Sequence, residues 1–186
     1  DVPVFVSNAL PGETVDVHIL KANKKFAFGR STKVYNESPD RQKPSCNVFR
    51  PCGGCDLLHL KYDKQLELKK RILENNLKRL GGLDVKVDEI IGMDNPFRDR
   101  NKVQYPVKKN KVGFYAKRSN TVIVHEDCKM QSEIVNEIVN ELKVIVDESI
   151  THLVFRTAKE GIMLIFVSRK RRLEFSIEDL LKKYPI

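Results

Sequence analysis

The chain has 186 residues, 41% of them hydrophobic, so a folded core is feasible as one medium domain or two small ones. Its 34 Lys and Arg against 25 Asp and Glu leave a net charge of +9, which favours a polyanionic partner over an acidic one. No apolar run reaches the ~18 residues of a membrane span, and no secretory pattern precedes the first strand. The sequence therefore reads as a cytoplasmic protein that stays off the membrane.

Taken in chain order, residues 3–38 read as short strands. Val4 and Val6 flank Phe5, Leu10-Pro11-Gly12-Glu13 makes a turn, and Val15, Val17 and Ile19 alternate with polar neighbours at period two. Residues 26–29 and 33–35 continue the pattern, which suits a small OB-like β-barrel. Residues 39–60 lack periodicity, are rich in Pro and Gly, and carry three of the four cysteines. Asp63 is placed to cap a helix that runs to Leu80 and stops at Gly81-Gly82, with Leu66, Ile72, Leu73, Leu77 and Leu80 as its apolar stripe. Strands are predicted over 85–87, 102–108, 112–115 and 122–125, then a helix from Ser132 to about Val146. Strands over 152–157 and 162–168 follow, and Ser176-Ile177-Glu178-Asp179 resembles a capping box that opens a third helix. The mixture lacks strict βαβ alternation, so the class is α+β. Two domains are drawn: 1–38 as the small barrel, truncated at its start, and 39–186 as a mixed α+β domain.

Cys46, Cys52 and Cys55 are spaced C-x5-C-x2-C in one loop, and Cys128 follows after 72 intervening residues. Two disulfides disagree with a cytosolic chain. Structural zinc sites usually pair two C-x2-C hooks, and only one is present. Four buried free thiols fit poorly in a Pro/Gly loop. The pattern favours an iron–sulfur cluster, most simply 4Fe–4S, with three ligands in one loop and one remote. Gly53 and Gly54 let the backbone wrap closely round such a body. Any metal here would tie the loop to the Cys128 segment and turn binding energy into folding energy. His59 is close enough in sequence to serve as an outer hydrogen-bond donor, although a plain core or surface role suits all four histidines.

The positive charge is uneven. Residues 61–130 hold 17 basic and 10 acidic residues, whereas 131–186 hold nine of each. Within it, 98–118 carries eight basic residues and the single acid Asp99. Arg98, Arg100, Lys102, Lys117 and Arg118 are candidates for phosphate contact, and Asn101 and Gln104 for base edges. Phe114 and Tyr115 have rings suited to unpaired bases, although Phe114 fits a hairpin core better. A second basic run, Arg169 to Arg172, is equally well explained as a solvated turn.

These residues resemble a known family. Val4-Phe5-Val6 through Asn8-Ala9-Leu10-Pro11-Gly12-Glu13 is similar to the start of a TRAM domain. Cys46-x5-Cys52-Gly53-Gly54-Cys55 with His59-Leu60, Tyr62 and Gln65-Leu66 resembles the cluster loop of the RumA/TrmA-type RNA (uracil-5-)-methyltransferases. So do Arg100-Asn101-Lys102-x-Gln104-x-Pro106-Val107, Gly113-Phe114-Tyr115, and Cys128 with Gln131. Asp99 stands where the family usually has Tyr. The resemblance implies a TRAM barrel and a cluster domain that grip RNA, ribosomal RNA in the first instance, and a methyltransferase domain that binds S-adenosylmethionine. That third domain is expected to be absent, since the cysteines are committed to the metal and no Gly-rich cofactor loop is present. The expectation is an RNA-binding monomer with no catalytic residue of its own. Two other classes compete: a zinc-stabilised nucleic-acid module, and an iron–sulfur electron carrier, against which the basic field argues.

Overall fold

The computed structural model describes residues 2–186. Contacts divide the chain into two units, residues 1–44 with 56–92, and residues 45–55 with 93–186. This cuts the chain differently from a boundary at 38/39, because the cysteine loop belongs to the second unit and the segment after it to the first.

In the first unit, β1 (Val4–Ser7) pairs in parallel with β3 (Ala27–Asn36), and β2 (Thr14–Ala22) pairs with β3 antiparallel. The stretches read separately as 26–29 and 33–35 form one strand. Gly29 makes this possible: a Cβ there would collide with Val17 of the neighbouring strand. The result is an open three-stranded sheet, order β1-β3-β2, in place of the small OB-like barrel, complete or incomplete, expected from the sequence; no closed barrel forms among the described residues. Three strands at native twist cannot bring their edges together. The turn before β2 is held by Glu13, whose carboxylate accepts from the Leu10 N–H at 2.8 Å and from Arg41 Nη2 at 2.6 Å. The Arg41 hydrogen bond, with lesser help from the Leu10 and Ser38 amides, holds the Glu13 carboxyl at about 2.

The first helix, α1 (Tyr62–Gly81), ends where glycine was expected to end it. Gly82 takes the left-handed conformation at φ 65°, and its N–H donates to the Leu77 carbonyl. Its start lacks the expected cap: Lys61 occupies the N-cap position, no side chain caps the helix, and Asp63 sits in the first turn, where it meets the positive end of the helix dipole. Residues 85–87 form no strand; Val87 N–H donates to Glu74 Oε1 at 3.0 Å. Their alternating valines lack a partner strand, which periodicity cannot supply.

The second unit is a four-stranded antiparallel sheet with a helix on one face. β4 (Lys102–Lys108), β5 (Lys111–Val112), β8 (Ile150–Thr157) and β9 (Ile162–Ser168) lie in the order β5-β4-β8-β9. A small hairpin of β6 (Phe114–Tyr115) and β7 (Val122–Ile123) stands beside them. α2 (Glu133–Ile145) starts after Ser132, as expected, and buries Val135, Ile138, Val139 and Leu142 against Val103, Tyr105, Leu153 and Phe155. α3 (Glu178–Lys183) adds Leu180 and is followed by buried Tyr184. The expected capping box does not form: Ile177 occupies the N-cap position with no side-chain cap, and Ser176 Oγ, one residue earlier, only accepts from the Glu178 N–H at 3.2 Å.

Candidate metal centre and nucleic-acid interface

The cysteine loop is built by its own short hydrogen bonds and by one buried ring. Phe49 is in the core, Phe49 N–H donates to the Cys46 carbonyl at 3.2 Å, and Cys52 N–H donates to the Val48 carbonyl at 2.9 Å. Gly53 N–H donates to the Tyr115 carbonyl at 2.8 Å, while a Cβ on Gly53 would sit 2.7 Å from that same oxygen. Only glycine permits the loop to approach the hairpin this closely. Gly54 N–H donates to Cys52 Sγ at 3.3 Å.

All four cysteines are free thiols of the second unit; Cys52 is buried and Cys46, Cys55 and Cys128 are half-buried. Burial pushes the Cys55 thiol up to about 11, and the charge of Cys128 adds to it. Cys52 and Cys128 are also raised, burial first; amide N–H groups of Met130 and Gln131 work the other way at Cys128. Charge on Cys46 or on another of the three contributes to each of these rises. Lys117 and Arg100 oppose the rise at Cys52 and Cys55 respectively. No set of three or more His, Cys, Asp or Glu among the described residues is placed to hold a metal ion.

Two polar side chains near this constellation are of a kind that sequence reasoning passes over. Tyr105 is fully buried, its hydroxyl has no hydrogen-bond partner among the described residues, and the Cys128 charge is the second cause, after burial, of its raised pKa. Gln131, whose N–H closes the Cys128 turn at 3.0 Å, is 1% exposed with both amide atoms unpartnered. Buried polar atoms are nearly always satisfied. Unpartnered donors beside gathered thiols fit a centre carrying sulfur acceptors. The loop and these orphans leave unsatisfied polar groups in the cysteine region, while the described cysteines are not placed as a ligand set.

The Cys128 turn is also held from outside. Arg98, in the left-handed region at φ 61°, donates through Nη1 to Asp127 Oδ1 at 2.6 Å, to the Cys128 carbonyl at 2.9 Å and to the Gln131 carbonyl at 3.0 Å. Cys128 N–H donates to Asn136 Oδ1 at 3.0 Å from α2. Arg98 and Lys129 together hold the Asp127 carboxyl at about 2. Arg98 thus clamps the turn that carries the remote cysteine. The other candidate contacts remain more open. Arg100, Asn101, Lys102, Gln104 and Arg118 are exposed, and Lys117 is half-buried with Nζ 5.5 Å from the Phe49 ring centroid. Phe114 packs against Tyr105 at 4.8 Å and stacks on His125 at 5.1 Å, a core position; Tyr115 faces solvent. His59 is buried in the first unit. A cleft of about 500 Å³ opens beside Cys46, lined also by His125, Asp127 and Lys129.

Comparison with known proteins gives this geometry a context. Residues 1–32 match the TRAM domain model. An uncharacterized RNA methyltransferase of Clostridium tetani is 39% identical over 199 aligned residues, covering 97% of this chain and 43% of the relative. An uncharacterized RNA methyltransferase of Listeria monocytogenes is 39% identical over 195, covering 95% and 43%. By sequence, the chain is a relative of RNA methyltransferases. It spans less than half the length of the curated relatives it matches. The RNA methyltransferase likeness extends to structure: the crystal structure of Pyrococcus abyssi tRNA (uracil-54, C5)-methyltransferase with S-adenosyl-L-homocysteine superposes with a TM-score of 0.68 at 25% identity. That match covers 92% of this chain and 43% of the other. No helix among the described residues is long and apolar enough to cross a membrane.

Proposed function

We propose that these residues form the RNA-recognition part of an S-adenosylmethionine-dependent RNA (uracil-5-)-methyltransferase acting on ribosomal RNA in the cytoplasm as a monomer. Cys46, Cys52, Cys55 and Cys128 would hold a 4Fe–4S cluster in a structural role, tying the 45–55 loop to the Cys128 turn. What supports this reading is that four thiols from two segments remote in sequence belong to one unit, together with the close-packed Gly53 loop and the unpartnered Tyr105 hydroxyl; among the described residues, the cysteines as they stand do not form a metal-holding set. When bound, the cluster would supply charge and cross-linking rather than a reacting atom. The chain's own residues then do the rest. Arg98 fixes the Cys128 turn, while Arg100, Lys102, Lys117 and Arg118 neutralise phosphates and Asn101 and Gln104 meet base edges. With every cysteine in the centre, no thiol remains to add to a uracil ring. Methyl transfer and the binding of S-adenosylmethionine are therefore assigned to residues outside these 186.

Iron and sulfide analysis with a visible spectrum tests the centre. A brown sample that loses colour when any one of the four cysteines becomes serine supports it; a colourless zinc-containing sample refutes it in favour of a zinc module. RNA affinity that falls steeply with salt supports the grip on phosphates. Incubation of these residues with S-adenosylmethionine and a uracil-containing loop should give no methylated product. Competition between ribosomal fragments and transfer RNA decides the target class.

A further inference from the structure

One face of the second unit's sheet is left without a layer. α2 covers the face that carries Val103, Tyr105, Leu153 and Phe155. On the opposite face the register places Lys102 beside Arg156 and Met163, then Gln104 beside Val154 and Ile165, and His152 beside Val167. β9 is the edge strand, and its three outward side chains, Met163, Ile165 and Val167, are 57%, 41% and 41% exposed. An apolar strip on an exposed edge strand invites pairing and is ordinarily covered or blunted by charge. Here no carboxylate stands among these eight residues, while cations bracket the strip. Lys102 and Arg156 lie at one end; at the other, Arg169 to Arg172 follow β9, with Lys170 paired to Glu174 at 2.7 Å and Asp147 and Glu148 beside Arg169 and Lys170.

We infer that this open sheet face is a platform for unpaired RNA, with bases lying on Met163, Ile165 and Val167 and phosphates held by Lys102 and Arg156. The inference rests on the RNA-binding reading above and deepens it by naming the surface and adding residues that the basic stretch does not contain. Charge on the face itself favours a polyanion: Lys102 and Arg156 stand on it with no carboxylate among its eight side chains, which matches a phosphate backbone with exposed base faces better than a mixed-charge protein surface. Gln104 and His152, in the middle rows, supply hydrogen-bonding groups for base edges. Sheets that bind single strands usually stack bases on aromatic side chains; here the aliphatic side chains of β9 offer apolar contact to the base faces instead.

The test uses the full-length protein and a fluorescein-labelled single-stranded oligouridylate. Lys102→Ala with Arg156→Ala should lower affinity about tenfold at low salt and reduce the salt slope by about 1.4, the counterions of two single-strand phosphates. Met163→Ser with Ile165→Ser should lower affinity about fivefold, the equivalent of about 1 kcal/mol of lost apolar contact, and leave the salt slope unchanged. All four side chains point outward, so melting temperatures should stay at the wild-type value and confirm that the variants fold. If the wild-type protein binds the RNA and both double variants bind it equally well, the face serves another occupant, such as a protein segment, and the inference fails. If the wild-type protein binds no RNA, the functional reading itself fails first.

Discussion

The two longer helices, one before Cys128 and one after it in the sequence, meet opposite fates. α1 is 20 residues long and buries none of them, whereas α2 is 13 long and buries five. Both have apolar stripes. The stripe of α2 lies on a four-stranded sheet with its own alternating apolar face, so each side supplies the other's cover. The stripe of α1 leaves Ile72 and Leu73 about half exposed. Beside it in the first unit, the open sheet shows Phe5 and Tyr35 to solvent, both 57% exposed. Periodicity records where a stripe lies; it says nothing of whether a partner surface covers it.

That contrast can be broken by mutation, and the largest effect is expected in the second unit. Leu142→Ala removes a fully buried side chain and should cost about 4 kcal/mol in denaturant unfolding of that unit. A loss below 1 kcal/mol would mean that α2 is not the keystone described. Next, the first unit has one strongly ordered point, the pair of Glu13 with Arg41, where the carboxylate is shielded from solvent. Glu13→Gln leaves the guanidinium without its charge partner and should cost about 3 kcal/mol. Because the folded carboxyl is depressed from 4.5 to about 2, its contribution is present above 4.5 and is lost as pH falls towards 2. The variant should lack that acid-dependent part of the melting curve.

A smaller effect concerns His125, whose folded pKa burial depresses from 6.5 to about 4, with Lys143 adding to the shift. The unfolded chain takes up the proton first, so stability falls as pH drops from 6.5 towards 4. His125→Phe keeps the stack on Phe114 and should flatten the melting temperature between pH 7 and 5 relative to wild type; an unchanged slope would put the acid sensitivity elsewhere. Smallest of all, Leu73→Ala on α1 should shift stability by less than about 0.5 kcal/mol. A large loss there would erase the distinction between the two helices.

Much of this was legible in the sequence, and the exceptions have physical causes. The run 162–168 was bounded correctly because a continuous apolar stretch between turns has one reading, and Gly82 marked a helix end because only glycine takes that conformation freely. The strand predicted over 112–115 breaks at Gly113, where a Cβ would collide with the Ile123 carbonyl; a close approach between remote segments leaves no local trace. Arg98 was legible as a cation, but its destination, a carbonyl-rich turn 30 residues on, was not. Tyr105 looked like one more alternating strand residue, and its unpartnered hydroxyl emerges only when Cys128 is brought near. Charge and periodicity are local properties, whereas satisfaction of a buried atom is a property of the whole packing.

The order in which the four cysteines appear along the chain carries a consequence for biogenesis. Three thiols leave the ribosome 72 residues ahead of the fourth, and at 5–20 residues per second they wait roughly 4–15 s for it. During that interval the 45–55 hook has neither its hairpin neighbour at Tyr115 nor the turn at Cys128. If the four thiols hold a cluster as proposed, the nascent loop would have to stay reduced and uncapped until the later segment arrives, and the timing of cluster delivery would belong to how this fold is reached.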